Sequence, residues 1–162
     1  MAQNVPQNEL HRIVPTAIIY KPDFTYLITR RGLNVKVHPG KWNVPGGGLS
    51  TDDYLNDPPT HCGNQWYGIV EKTLRREVLE EVGLEIGKPE YLVDLTFVRP
   101  DGVPVLVLSY FAPYVSGEVK LDEDTIDSAW VTAKEAEGYD LIVGTLEEIQ
   151  DTDKILRERN DS

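Results

Sequence analysis

Glu77, Glu80 and Glu81 lie within five residues of one another and follow directly on Arg76. Around them Val70, Leu74, Val78 and Val82 recur every four residues, which predicts a helix over residues 68–82. At i,i+3 and i,i+4 spacing the three carboxylates share one side of that helix. Like charges so placed repel by roughly 0.2–0.5 kcal/mol per pair. Glu80 and Glu81 also stand in the last turn, where the helix dipole disfavours negative charge. A segment that breaks local rules this often marks a site. The chemistry that compensates is a hard divalent cation bound by oxygen ligands, with several waters retained. A merely solvated acidic face would leave Arg76, the C-terminal Gly83 and the upstream Pro45-Gly46-Gly47-Gly48 turn unconnected.

The elements that must position these groups are legible as periodicity and punctuation. Residues 14–20 and 24–30 are apolar, β-branched and aromatic, and Lys21-Pro22-Asp23 between them suggests a hairpin. Residues 42–44 form a short strand entering the glycine turn, and Gly83 suits a left-handed helix end. Strands are expected over 91–98 and 103–114, joined by Arg99-Pro100-Asp101-Gly102 as a type I turn. A further strand is expected over 128–131. Thr132-Ala133-Lys134-Glu135 and Thr145-Leu146-Glu147-Glu148 both have the form of capping boxes, each opening a helix. In the last of these, Leu146, Ile149 and Leu156 share one face. This order of elements predicts an α+β fold, a mixed β-sheet with helices on both faces.

Composition narrows the function. The 162 residues suit one domain, read as a loose tail over 1–10 and a single domain over 11–162. Sixteen basic against 27 acidic residues give a net charge of −11, which argues against tracking the phosphates of a nucleic acid duplex. An anionic small substrate stays compatible, because bound cations reverse the local field. The single Cys62 excludes an internal disulfide, and His61-Cys62 lacks the paired spacing of a zinc site. Residues 1–10 lack an apolar signal-peptide core, and Pro104 and Pro113 interrupt the apolar run 103–115, so neither a signal peptide nor a membrane span is expected. A cytoplasmic location is the expectation.

The run Arg76-Glu77-Val78-Leu79-Glu80-Glu81-Val82-Gly83-Leu84, with Gly46-Gly47 upstream, resembles the box of the Nudix hydrolases, G-x5-E-x7-R-E-U-x-E-E-x-G-U with U a bulky aliphatic residue. The second half is met at every fixed position. The first half departs from the pattern: Gly47 precedes Arg76 by 29 positions, where the family has 14, so about fifteen residues are inserted. Counted forward from Gly47, the box's first glutamate falls on Asp53; counted back from Arg76, it falls on Gly68. The insertion is therefore placed at 54–68, with Asp53 as a substitute for that glutamate.

The resemblance implies an α/β/α sandwich and a Mg²⁺-dependent pyrophosphohydrolase, with Mn²⁺ as a substitute ion. It implies Glu77, Glu80, Glu81 and the Gly46 carbonyl as metal ligands and Arg76 as the residue that orients a glutamate. It also implies an extra acid near Trp130, best matched by Asp124 and next by Glu123. The general base is left open among Glu80, Glu81 and Asp124. For substrate contacts, Arg30 or Arg31 could reach phosphates, and Trp42, Trp66, Tyr67 or Phe97 could stack on a base or pack. Pro100 lies 16 positions past Leu84, a spacing found in ADP-ribose-cleaving relatives, although the hairpin turn already accounts for it. The expected substrate is a nucleoside diphosphate linked to another group, with a slight preference for nucleoside triphosphates, oxidised or not. ADP-ribose or nucleotide-sugar cleavage is the alternative within the family. A nucleotide-sensing module that does not cleave is the alternative outside catalysis, and the resemblance also leaves room for a homodimer.

Overall fold

A computed structural model describes residues 4–162. The elements, in order, are β1 (Arg12–Tyr20), β2 (Tyr26–Arg31), β3 (Trp42–Asn43), α1 (Ile69–Val82), β4 (Glu85–Ile86), β5 (Glu90–Val98), β6 (Pro104–Ser116), β7 (Thr125–Val131), α2 (Ala133–Ala136) and α3 (Thr145–Asn160). The seven strands follow the order β3-β2-β1-β6-β4, with β5 added on β6 and β7 on β2. The first three residues of the expected tail lie outside the described ones, and Gln7–Glu9 form a 3₁₀ turn before β1.

Alternation along the strands sorts the core into two layers. Ala17, Ile19 and Leu27 pack with Leu74, Val78 and Val82 of α1. Their sequence neighbours Ile18, Tyr26 and Ile28 point the other way, toward Ala136 of α2 and Ile149 of α3. Helices thus cover both faces, as the element order predicts. No helix among the described residues is long and apolar enough to cross a membrane.

The expected β1–β2 hairpin forms at its turn, where the Lys21 N–H donates to the Thr25 carbonyl (3.0 Å), and is corrected in its extent. The two strands exist, but they pair only at Tyr20–Tyr26. β1 instead runs parallel to β6 from Arg12–Val105 to Tyr20–Pro113, and β2 runs antiparallel to β7. The reason lies in the glycine turn. The Ala17 N–H donates to the Pro45 carbonyl (2.8 Å) and the Gly47 N–H to the Pro15 carbonyl (3.2 Å), so residues 45–47 take the edge of β1 that β2 would otherwise occupy. β1 is left with neighbours on both edges and buried side chains on both faces, the situation that a continuous apolar run suits.

Helix termini follow the sequence in two cases and depart from it in one. Gly83 is left-handed (φ 72°) and its N–H returns to the Leu79 carbonyl at 2.9 Å. Thr132 and Glu135 form the complete capping box of α2. Thr145 does not cap α3: Gly144, at φ 92°, holds the cap position, and Thr145 is the buried first helical residue, its hydroxyl donating to Asn43 Oδ1 at 3.2 Å.

Candidate active site

A cavity of about 360 Å³ opens where the glycine turn, the last two turns of α1 and the loop before β7 meet. Its walls are Thr29 and Arg31 of β2, Val35 and Lys36 of the following loop, Gly46, Glu77, Glu81, Asp122, Asp124 and Thr125. Four carboxylates and two cationic residues thus line the cavity, the Lys36 ammonium lying 3.8 Å from the Asp101 carboxylate.

Close approach of backbone to α1 builds one wall. A side chain at Gly46 would bring a Cβ to 2.5 Å from the Pro15 carbonyl, and one at Gly47 would collide with the carboxylate of Glu77. The Gly46 N–H donates to Glu81 Oε2 at 3.2 Å, and the Thr29 hydroxyl donates to Oε1 at 3.4 Å. Burial pushes the Glu81 carboxyl up to about 7. The Gly46 hydrogen bond opposes that rise, and the charges of Asp122 and Glu77 add to it. Gly47→Ala is expected to displace Glu77 and lower kcat/KM at least tenfold, with a higher divalent-ion requirement. A metal titration of the rate checks this.

Arg76 joins the loop to the helix. Its Nε donates to Asp53 Oδ1 (2.5 Å) and its second terminal nitrogen to Oδ2 (3.2 Å). Its other terminal nitrogen lies 2.9 Å from both Glu77 Oε1 and Glu80 Oε2. Asp53 is buried and also accepts from the Ser50 N–H (2.9 Å) and the Thr73 hydroxyl (3.0 Å). Burial alone would raise its carboxyl, but the hydrogen bonds from Arg76, Ser50 and Thr73 outweigh it and hold the group below its ordinary value. Asp53 therefore anchors the loop ahead of the insertion, and Gly68, the other position counted for the box glutamate, is the left-handed cap of α1 (φ 74°).

Several expected site residues lie elsewhere. Glu80 is 60% exposed and turned to Arg76, outside the cavity wall. Arg30 points away from the cavity and bonds the Gly40 carbonyl (3.0 Å); Thr29 and Arg31, on the opposite face of the strand, line it. Trp42 packs edge-on against Tyr139, ring centroids 4.9 Å apart, within the α3-side core. Trp66 and Tyr67 stay within the insertion: Trp66 donates to the Asp57 carbonyl (2.9 Å), and Tyr67, 64% exposed, stacks edge-on with His61. Phe97 lies on β5, away from the walls.

Asp124 does line the cavity and Glu123 does not. Asp122, Lys36 and Arg31 complete the walls, and only Arg31 among them is singled out by the sequence. Asp122 stands two residues before Asp124; its N–H donates to the Glu81 carbonyl (3.1 Å) and its carboxylate accepts the Asp124 N–H (3.1 Å). Among the described residues no three carboxylate, imidazole or thiol groups converge on one point. The donors around the cavity are nonetheless all hard oxygens, a set that fits a small divalent cation holding part of its water shell and unlike a zinc site.

Comparison with known proteins bears on the same residues. Residues 10–150 match the family described as NUDIX domain. The chain belongs to the Nudix family. Among its relatives, nucleoside triphosphatase NudI of Escherichia coli is 27% identical over 134 residues, spanning 76% of this chain and 84% of that one. The fold is shared with the MutT protein of Methanosarcina mazei Go1 (TM-score 0.67, 21% identity, 94% and 96% of the two chains). It is also shared with the NUDIX domain of Shewanella oneidensis NrtR, solved with ADP ribose (TM-score 0.69, 16% identity, 97% and 94%). This Nudix protein is a hydrolase of phosphoric anhydride bonds, and divalent metal ions are general to its family.

Proposed function

We propose that this Nudix hydrolase cleaves the pyrophosphate of a nucleoside diphosphate linked to another group. Nucleoside triphosphates, oxidised or not, are the preferred substrates, giving a nucleoside monophosphate and pyrophosphate. The observation that carries this reading is the closed assembly of Gly46, Glu81, Glu77, Arg76 and Asp53, which survives the insertion in the box. The triphosphate preference draws on the nucleoside triphosphatase relative.

A divalent cation, Mg²⁺ or Mn²⁺, supplies when bound a water of lowered pKa and neutralises charge on phosphate oxygens. Glu77, Glu81 and the Gly46 carbonyl would hold it, with Glu80 one turn away on the rim. Arg31 and Lys36, on the loop side, would take the phosphate oxygens and orient the chain of phosphates. Arg31 is already steadied by its Nε bond to the Val37 carbonyl (2.8 Å). Asp124 would take the proton of the attacking water: it lines the cavity, and the Asp122 carboxylate beside it is engaged by the Asp124 N–H.

A panel of nucleoside triphosphates, ADP-ribose and nucleotide sugars, assayed with Mg²⁺ and with products separated by chromatography, tests this. Glu77→Gln and Asp124→Asn are each expected to lower kcat about 10²–10⁴-fold. Unchanged turnover in both would overturn the site. The ADP ribose bound to a protein of the same fold makes that compound the second candidate, and its faster hydrolysis would move the assignment to the diphosphate branch. Ligand-induced thermal stabilisation without product would instead support a sensing module.

A further inference from the structure

We propose that β5 is the interface of a two-fold homodimer, in which the strand pairs antiparallel with β5 of a second copy about an axis at Leu95. Among the described residues β5 pairs only with β6, so its outer edge offers a row of free backbone groups. Beyond a bulge at Tyr91–Val93 the strand pairs regularly over six residues, Val93–Val98, which contain neither proline nor lysine, features that commonly blunt an exposed edge. Five of its large apolar side chains stand open: Tyr91 (54%), Val93 (40%), Leu95 (37%), Phe97 (36%) and Val98 (68%). This is the longest run of exposed apolar residues along any strand described.

Self-pairing is favoured by what the strand carries. Pairing covers the flanks of Val93, Leu95 and Phe97 on one face and of Val98 on the other, together with the paired backbone, an area below the about 800 Å² per partner of a standard interface and suited to a modest affinity. The two acidic groups of the strand are already engaged. Glu90 is held by Arg159 in a two-pronged ion pair (2.8 and 2.9 Å), and Asp94 accepts the hydroxyl of Tyr91. The net charge of −11 per copy therefore opposes association only at long range, where salt screens it.

Symmetry selects the register. Facing residues in antiparallel strands share a face, so an axis perpendicular to the sheet must pass at a residue rather than between two. An axis at Asp94 would set two carboxylates against each other. An axis at Thr96 would set Asp94 against the apolar Val98. An axis at Leu95 sets Asp94 against Thr96 and Val93 against Phe97, and it merges Val93, Leu95 and Phe97 of both copies into one apolar block.

The test uses the full chain in 0.15 M salt. Light scattering after size exclusion is expected to give twice the 18.3 kDa chain mass, and Leu95→Glu to give the single-chain mass with an unchanged far-ultraviolet circular dichroism spectrum. In a Cys62→Ser background, Leu95→Cys places the two thiols about 5 Å apart at their Cβ atoms. Val98→Cys would place them about 20 Å apart along the strands. A short bismaleimide should therefore join the first variant into a dimer and leave the second as single chains. A single-chain mass at 100 µM wild-type protein, a dimer indifferent to Leu95→Glu, or joining at position 98 in preference to 95 would each overturn the proposal.

Discussion

Glu81→Gln is expected to abolish hydrolysis and, in the absence of divalent ions, to make the protein more stable at pH 8. Glu81 has its carboxyl raised in the folded protein from 4.5 to about 7, chiefly by burial. The folded state therefore binds the proton more tightly than the unfolded one. As pH rises from about 4.5 to about 7 the ionised form becomes the rule in the unfolded chain first, and stability falls through that window. Above it the whole penalty is present, about 3 kcal/mol. Glutamine keeps an acceptor oxygen for the Gly46 N–H, and its amide N–H donates to the Thr29 hydroxyl where the carboxylate accepted from it, without the charge. At pH 8 the variant should melt roughly 6–10 °C above the parent, and at pH 4 the two should coincide. Added Mg²⁺ should close the gap by stabilising the parent alone, through binding to the folded state. Thermal melts at the two pH values, with and without the ion, measure this. A variant less stable than the parent at pH 8 would contradict a strained carboxylate at this position.

The second large effect is expected at Asp53. Asp53→Ala removes the acceptor of Arg76, the Ser50 N–H and the Thr73 hydroxyl together. The buried Thr73 hydroxyl loses its acceptor, at a cost of about 1–3 kcal/mol, while Arg76, about one-third exposed, keeps Glu77 and Glu80. Arg76 would then be free to draw Glu77 and Glu80 away from the cation. A residue that orients a ligand commonly changes metal affinity 10–100-fold, and that range is the expectation here. Asp53→Asn, which keeps the shape and the Ser50 and Thr73 acceptor, should fall between the parent and Asp53→Ala in stability. Chemical denaturation and Mn²⁺ binding by electron paramagnetic resonance separate the two contributions. A change in stability with no change in Mn²⁺ affinity would reduce Asp53 to a cap of the loop.

The parts of the fold that were legible are those written in local chemistry. The four-residue period of Leu74, Val78 and Val82, the left-handed Gly83 and the Thr132 box each depend on a few adjacent residues. Strand partnership does not. Nothing within residues 12–31 reveals that the glycine turn, more than a dozen residues later, takes the edge of β1 and sends β2 to β7. Thr145 misleads for a related reason: its Thr-x-x-Glu pattern is sound, but Gly144 begins the helix one position earlier and leaves the hydroxyl to Asn43. At the site, the half of the box from Arg76 to Leu84 could be read directly. Arg31 rather than Arg30 required knowing which face of β2 is turned to the cavity. Asp122 joins Asp124 at the cavity through the turn at 123–124, which its carboxylate closes by accepting the Asp124 N–H.

The ion pair of Asp53 with Arg76 spans 23 positions of chain, and residues 54–68 between them precede the helix that carries Thr73, Leu74 and the carboxylates. The insertion is a side loop on a ring already closed. Doubling the length of a flexible loop adds only about 0.6 kcal/mol of closure entropy. The ring can therefore carry segments of very different length and composition while Glu77 and Glu81 stay where they are. Residues 54–68 are in that sense a graft position, open to exchange or deletion, at which recognition could change without the hydrolytic apparatus being rebuilt.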